Sequence, residues 1–192
     1  YHWTPGNAVS QRSERLGLAF DSEVVRAQYQ EMIAAYEEAG VNVYQIPAEA
    51  GLPYQVYARD SSVMTPWGAI IMQMEKPYRR GEYAAVLRFY LEHGIPIYDI
   101  VSAGNVEGGD FMVLKPGVAI CGYSGERSIE PAVNQLKNWF EAEGWEFMTY
   151  AFDPHFLHLD VQMGMIAEDL AVVCVEAVEP GLVDWLKSKQ IR

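Results

Sequence analysis

Apolar positions along the chain recur with two different periods. The helical period, with apolar residues three or four apart, predicts amphipathic helices over residues 22–39, 81–93, 128–143 and 180–189. Three of these segments end in glycine, at Gly40, Gly94 and Gly144. Glycine there closes the last helical turn in the left-handed conformation, and the alternation of apolar and polar residues that follows it predicts a strand.

A hairpin precedes each of the last three helices. The two β-rich runs of each hairpin are joined by turn residues, at 66–68, 115–117 and 168–169. We predict that Ser128 caps the third helix and that Pro180 occupies the start of the fourth. The chain is therefore a repeat of strand, strand, helix, strand, in which the helix-ending glycines are 54 and 50 residues apart.

This repeat predicts an α/β fold built of ββαβ units. We expect one domain over residues 1–192, in which similar units pack side by side around an axis. The first unit has no obvious hairpin, and the fourth stops at residues 189–192, where its closing strand would begin. We therefore expect an incomplete array of about four units at most.

Composition excludes some partners and leaves others open. Half of the 192 residues are hydrophobic, which supplies a sizeable core, and no apolar run reaches the roughly 18 residues of a membrane span. The net charge of −12 disfavours nucleic acid and anionic membranes and mildly favours cationic ligands, although an acidic surface also serves solubility. Cys121 and Cys174 lie in apolar runs, where we predict buried thiols without zinc or disulfide; a reducing, cytoplasmic compartment follows.

Three carboxylates occupy one position of the repeat. Asp60, Asp110 and Asp160 are fifty residues apart, and each opens the first strand of a hairpin. Units arranged around an axis would bring them to one rim, together with Glu107 and His158, which shortly precede two of them. Aspartate before a strand is also a common turn former. Its recurrence beside a glutamate and a histidine favours a site.

Several carboxylates in a small volume require a cation. A metal is one alternative, because His155, His158 and Asp160 are close in sequence. The H-F-L-H spacing does not aim both histidines at one ion, so we predict that His155 lies in an exposed loop and that no metal is bound. A guanidinium fits better, since it is planar, permanently charged and carries five donors that pair with carboxylates.

A guanidinium substrate assigns a role to each polar residue. The aspartates, including Asp110, would bind the substrate, His158 would be the general acid and base, and Glu107 would orient it or share in binding. Attack on the central carbon needs a nucleophile such as a cysteine thiolate. Cys121 and Cys174 fall in second hairpin strands, away from the acids, so the chain offers no nucleophile.

Three motifs in order resemble the guanidino-group-modifying superfamily. They are A-R-D-S-S around Asp60, E-G-G-D at 107–110 and H-L-D at 158–160. The superfamily includes dimethylarginine dimethylaminohydrolases, arginine deiminases, arginine dihydrolases and amidinotransferases, and the likeness covers nearly the whole chain. It implies a five-bladed α/β propeller, the pentein fold, and no cofactor.

The resemblance also implies roles for single residues. Asp60 and Asp160 would bind the guanidinium, with His158 as acid and base and Glu107 assisting. Two arginines that precede helices would hold the substrate's carboxylate, and an early asparagine would lie in a loop near the substrate; they are Arg79, Arg127 and Asn7.

The resemblance implies a hydrolase acting on arginine or an N-substituted arginine. The family's cysteine lies near the C-terminus, in a fifth unit, beyond the fourth unit in which this chain stops. An amidinotransferase is the alternative within enzymes, and an inactive guanidine-binding or interaction module is the alternative outside them. The expected partner is a small cationic guanidino compound rather than nucleic acid or membrane, and a homodimer is compatible with this reading.

Overall fold

The computed structural model describes residues 5, 8–18 and 20–192, and Asn7 lies outside them. The chain divides into two compact units, Tyr1–Val56 and Tyr57–Arg192. The single domain over residues 1–192 stays a prediction.

The first unit contains two helices, α1 (Ala8–Arg15) and α2 (Ser22–Glu38). The Asp21 carboxylate caps α2 by accepting hydrogen bonds from two amides of its first turn. Gly40 follows α2 with a φ of +79°, as predicted. The prediction of a strand after Gly40 is wrong, because residues 41–49 form no strand. A strand needs a neighbour for its backbone N–H and C=O groups, and within the described part of this unit only helices precede it.

The second unit repeats the predicted order of elements. Its members are β1 (Ser62–Thr65), β2 (Gly68–Ile71), α3 (Glu82–Glu92), β3 (Ile97–Ile100), β4 (Phe111–Lys115), β5 (Val118–Tyr123), α4 (Glu130–Ala142), β6 (Glu146–Ala151), β7 (Met163–Ala167), β8 (Leu170–Val173) and α5 (Pro180–Ser188). The repeats of this second unit are numbered from β1, so that each begins with a hairpin. In the first two repeats the antiparallel hairpin gains a parallel third strand after the helix, giving the sheets β1-β2-β3 and β4-β5-β6. In the third repeat, the backbone of Arg192 bonds to Asp169 and Ala171 beside β8, where a third strand would start. The ββαβ unit is confirmed, whereas the five-bladed ring stays a prediction.

The helix ends follow the sequence closely. Gly94 and Gly144 take the left-handed conformation after α3 and α4, as predicted, and Gln190 does so after α5 with a φ of +62°. Pro180 begins α5 as predicted. The prediction that Ser128 caps α4 is wrong, because the cap position is Ile129 and the Ser128 hydroxyl donates to the carboxylate of Asp110. No helix in the described part of the chain is long and apolar enough to cross a bilayer.

The core of the second unit lies on both faces of the middle sheet. Alternate residues of β4 and β5 point to opposite faces, as the pleat requires. Phe111 and Cys121 pack into a cluster around Phe140 of α4, whereas Met112 and Ile120 pack into a second cluster that includes the apolar face of α5. This sheet therefore joins the three repeats, and its strands are apolar on both sides.

Phe140 is fully buried and its ring lies 5.2–5.6 Å from four other aromatic rings, those of Trp67, Phe111, Trp145 and Phe147. We expect Phe140→Ala to lower the free energy of unfolding by about 3–5 kcal/mol, because the cavity removes both burial and ring contacts. Urea denaturation measures the change. Leu91→Ala, at a position 64% exposed on α3, is the control and should stay within about 0.5 kcal/mol of the parent. Equal losses for both variants would contradict this view of the core.

Candidate active site

Three short turns of 3-10 helix form the base of the site. They comprise residues 58–61, 108–110 and 159–161. The first two directly precede the first strand of a hairpin, and one residue, Gln162, separates the third from β7. The second turn contacts both others. The Gly109 N–H donates to Asp60 Oδ1 over 3.2 Å, and the Leu159 N–H donates to Asp110 Oδ1 over 2.9 Å. The repeated aspartate thus joins each turn to the next one along the chain.

The two glycines of the E-G-G-D segment permit this close approach. A Cβ atom on Gly108 would overlap the backbone carbonyl of Arg59, and one on Gly109 would lie 2.8 Å from Cγ of the His158 ring. Neither glycine has a positive φ. Their small size, rather than their backbone freedom, is what the site requires.

His158 stands at the centre of the carboxylates. Its Nδ1 lies 3.2 Å from Asp110 Oδ2, and its Nε2 lies 3.5 Å from Glu107 Oε2 and 3.9 Å from Asp60 Oδ1. Asp110 is fully buried, and it also accepts a hydrogen bond from the Ser128 hydroxyl. The structure therefore places Asp110 behind the imidazole, on the side of Nδ1, with Glu107 and Asp60 on the side of Nε2.

Glu107 is held from several directions. Its Oε1 accepts from the Glu75 N–H over 3.1 Å, and its Oε2 accepts from Arg127 Nη1 over 3.2 Å. The Glu107 N–H itself donates to the Ser128 hydroxyl. These bonds fix a fully buried carboxylate beside the imidazole.

Arg79 carries the second buried guanidinium of the site. It makes two bonds of 2.8 and 2.9 Å to the Glu82 carboxylate and one of 2.9 Å to Asp60 Oδ2. Arg79 precedes α3 as Arg127 precedes α4, so the two arginines hold equivalent places in the repeat. Both guanidinium groups face carboxylates of the protein, and their role toward a substrate's carboxylate stays a prediction.

Asp160 differs from the other acids in its exposure. Its side chain is 34% exposed, and its Oδ2 lies 3.2 Å from Nε of Arg59. Both residues line a cavity of about 620 Å³, whose walls come from the first strands of all three hairpins, β1, β4 and β7. Asp160 is therefore the acid of this group that lines the cavity.

The pKa values reflect burial and pairing. Burial by itself would lower the pKa of His158, but the nearby carboxylate of Asp110, with those of Asp60 and Glu107, more than offsets this effect, and the pKa is raised. Burial raises the pKa of Glu107 against the opposing charge of Arg127, and burial likewise raises the pKa of Asp160 against the opposing charge of His158. His158 is thus favoured in its protonated form.

A count of formal charges shows a surplus. The buried charge cluster contains four carboxylates, two guanidinium groups and one imidazole: Asp60, Glu82, Glu107, Asp110, Arg79, Arg127 and His158. One negative charge remains even when His158 is protonated. Buried charge without a counter-charge is costly, so this cluster favours an additional cation.

A metal is a weaker candidate for that cation. Asp60, Glu107 and His158 offer ligand atoms within 4.8 Å of one another, and these types of ligand suit several metals. The Arg79 guanidinium, however, already lies 2.9 Å from the Asp60 carboxylate and 3.6 Å from that of Glu107. His155, weighed as a ligand from the sequence, is exposed, as predicted.

The two cysteines occupy different environments. Cys121 is fully buried, as predicted, and burial, with the nearby charge of Asp110, raises the pKa of its thiol well above the ordinary value. Cys174 is exposed, so its predicted burial is wrong. It directly follows β8, and its N–H donates to the Gln162 carbonyl at the end of the hairpin that carries Asp160. Cys121 is paired with Phe111, next to Asp110. The prediction that both cysteines lie away from the acids is therefore wrong.

The sequence analysis did not place three residues in the site: Arg59, Glu82 and Ser128. Glu82 lies three residues after Arg79, one helical turn away, a spacing that favours an ion pair. Ser128 precedes a predicted helix and so resembles a helix cap, and the local sequence gives no sign of its hydrogen bond to Asp110, 18 residues away.

The comparison with protein families identifies the chain. A family model described as eukaryotic N,N dimethylarginine dimethylhydrolase matches residues 4–184. The chain belongs to this family. The predicted membership of the guanidino-group-modifying superfamily is thereby confirmed.

Two relatives match most of this chain. YkgA of Bacillus subtilis strain 168 is 28% identical over 162 residues, covering 84% of this chain and 55% of that protein. A protein of Aeropyrum pernix is 28% identical over 134 residues, covering 69% of this chain and 49% of that protein. The chain thus spans about half the length of these two relatives.

Solved structures show the fold. DDAH from Pseudomonas aeruginosa superposes with a TM-score of 0.75 at 22% identity, covering 85% of this chain and 64% of that one. The N-terminal domain of ArgZ, a cyanobacterial arginine dihydrolase, superposes with a TM-score of 0.76 at 17% identity, covering 89% and 62%. The α/β fold is therefore that of DDAH-type pentein structures.

Asp110 is expected to keep His158 protonated. Asp110→Asn removes the charge beside Nδ1, so the pKa of His158 should fall, which NMR titration of the imidazole measures. The attraction between protonated His158 and Asp110 stabilises the fold fully below the pKa of His158 in the unfolded chain, about 6.5. This contribution disappears as the pH rises through the raised pKa of His158 in the folded protein. The deficit of the variant in unfolding free energy should therefore be larger at about pH 6 than at about pH 9. Asp184→Asn, at an exposed position of α5, is the control. An unchanged His158 titration in Asp110→Asn would refute the assignment.

Gly108 is expected to tolerate no side chain. Gly108→Ala should lower the free energy of unfolding by about 1–3 kcal/mol or more, since backbone atoms of Arg59 must move. Gly181→Ala is the matched control, because that glycine lies in α5 with open space around it and should be neutral or gain up to about 1 kcal/mol. Thermal unfolding of both variants makes the comparison, and a neutral Gly108→Ala would show that the turns are not in tight contact.

Proposed function

We propose that this chain provides the substrate-binding and acid–base groups of a hydrolase that acts on the guanidinium of arginine or an N-substituted arginine. The observation that carries the proposal is the surplus negative charge of the buried cluster around His158. A guanidinium supplies the missing positive charge together with several planar donors. The cluster already binds guanidinium groups of this kind, those of Arg79 and Arg127.

The binding residues are proposed from their exposure and orientation. Asp160 faces the cavity, and Asp60 lies within 3.9 Å of His158 Nε2. A guanidinium bridging these two carboxylates would meet the imidazole on its Nε2 side. Asp110 lies behind the imidazole and is fully buried. We therefore assign Asp110 to orienting His158 rather than to binding the substrate.

The raised pKa of His158 supports its part in the chemistry. In the proposed reaction a cysteine thiolate attacks the guanidinium carbon, and the carbon–nitrogen bond to the departing amine breaks as protonated His158 gives that amine a proton. His158 then takes a proton from water, which attacks the amidino–thioether carbon. Breaking the carbon–sulfur bond restores the thiolate, the remaining hydroxyl proton passes to solvent, and a urea group is left on the product.

The nucleophile of this reaction is a thiolate, and we assign neither cysteine of these 192 residues to that role. Cys121 is buried with a raised pKa, and Cys174 lies at the end of β8. The solved DDAH and ArgZ proteins include cysteine-to-serine mutants, one complexed with citrulline and the other bound to substrate. Those structures support a cysteine nucleophile in this fold.

Calorimetric titration with L-arginine tests the binding part of the proposal. We expect saturable binding, and much weaker binding of L-lysine, which has the same charge but lacks the planar donors. Asp60→Asn should weaken arginine binding about thirtyfold or more, because it removes a desolvated charge partner. Asp184→Asn changes the net charge equally at an exposed position and should leave the affinity unchanged. Equal affinity for both amino acids would refute a guanidinium site.

Turnover in the full-length protein tests the chemical part. His158→Ala should abolish formation of the urea product from arginine or methylated arginines, while arginine binding persists, since the carboxylates remain. General acid–base catalysis contributes about 10²–10⁴-fold. Colorimetric detection of the urea group measures the loss, and undiminished turnover would exclude His158 from the reaction.

A further inference from the structure

Arg59 reaches across the cavity mouth from the first repeat to the other two. Its Nη2 donates to the backbone carbonyl of Phe111 over 3.1 Å, and its Nε lies 3.2 Å from Asp160 Oδ2. The first contact is with the second repeat and the second contact is with the third. The chain thus places one of its own guanidinium groups on a carboxylate that faces the cavity.

The pair formed by Arg59 and Asp160 is readily exchanged. The two side chains are 56% and 34% exposed, so water screens their attraction, and pairs of this kind contribute little to stability. Arg79 contrasts with Arg59, because its guanidinium is buried and paired on two sides with Asp60 and Glu82. A ligand entering the cavity can displace Arg59 from Asp160, whereas the buried Arg79 stays bonded to Asp60 Oδ2 and to Glu82.

We propose that Arg59 is an internal competitor that occupies Asp160 in the free protein and is displaced by a ligand guanidinium. Arg59 therefore sets how tightly the site binds cations, and it keeps Asp160 paired when no substrate is present. The proposal rests on the proposed function, since it takes Asp160 as a contact of the substrate.

The alternative is that Arg59 only holds Asp160 in position. The two roles have opposite consequences for binding. A competitor weakens the affinity for a cation, so its removal strengthens binding, whereas a support strengthens the affinity, so its removal weakens binding.

Calorimetric titration with L-arginine distinguishes these roles. For Arg59→Gln we expect an affinity about two- to fivefold higher than that of the parent, in keeping with the strength of a half-exposed pair. Arg59→Lys keeps the charge and should stay close to the parent. Arg192→Gln is the matched control, because it removes an equal charge from an exposed pair with Asp169 at 2.9 Å and should leave the affinity unchanged.

A double-mutant cycle with Asp160→Asn assigns the effect to this pair. Once the carboxylate is absent, Arg59→Gln should no longer raise the affinity. An unchanged or lower affinity of Arg59→Gln in the parent, with arginine still bound, would overturn the inference and leave the proposed function standing. Absence of saturable arginine binding in both the parent and Arg59→Gln would overturn the proposed function and the inference with it. Thermal unfolding of each variant confirms that the comparison is made between folded proteins.

Discussion

The site depends on one buried carboxylate, that of Asp110. One of its oxygens accepts the Leu159 N–H, and the other lies against the Ser128 hydroxyl and Nδ1 of His158. The same side chain therefore closes the contact between two repeats, anchors the segment before α4 and orients the imidazole. A buried carboxylate is stable only when such donors surround it. The contact between these repeats and the orientation of His158 consequently depend on the same carboxylate.

The surrounding charges follow from this requirement. Orienting groups around an imidazole bring carboxylates together, and their repulsion must be offset by internal cations. Arg79 and Arg127 provide these from equivalent places before α3 and α4. Their two charges do not balance four carboxylates, and three of these carboxylates, Asp110, Asp60 and Glu107, raise the pKa of His158. In the proposed function, cation binding and proton transfer would therefore both depend on this excess of carboxylates.

The sequence predicted what repetition makes visible and missed what depends on a partner elsewhere in the chain. Asp60, Asp110 and Asp160 stand out because they recur at equal spacing, and the helix bounds follow from apolar periodicity. The strand after Gly40 was predicted from the same alternation, but alternation does not supply a neighbouring strand. Ser128 was misassigned for a similar reason, since a local cap and a distant carboxylate compete for one hydroxyl. Gln190 takes the left-handed conformation without the glycine that signals it elsewhere.

The two kinds of arginine in the site show how burial decides role. A guanidinium bonded to two carboxylates inside the protein, like that of Arg79, is part of the fold, because removing it leaves desolvated charges unpaired. The guanidinium of Arg59 is paired with one solvent-exposed carboxylate, so a ligand can replace it with only a small change in free energy. The carboxylate that is half exposed, Asp160, is for the same reason the one that can change partners. A site built for a guanidinium therefore needs an inner set of fixed pairs and an outer, exchangeable one, and the exposures of Arg79 and Arg59 divide the charges of this protein in that way.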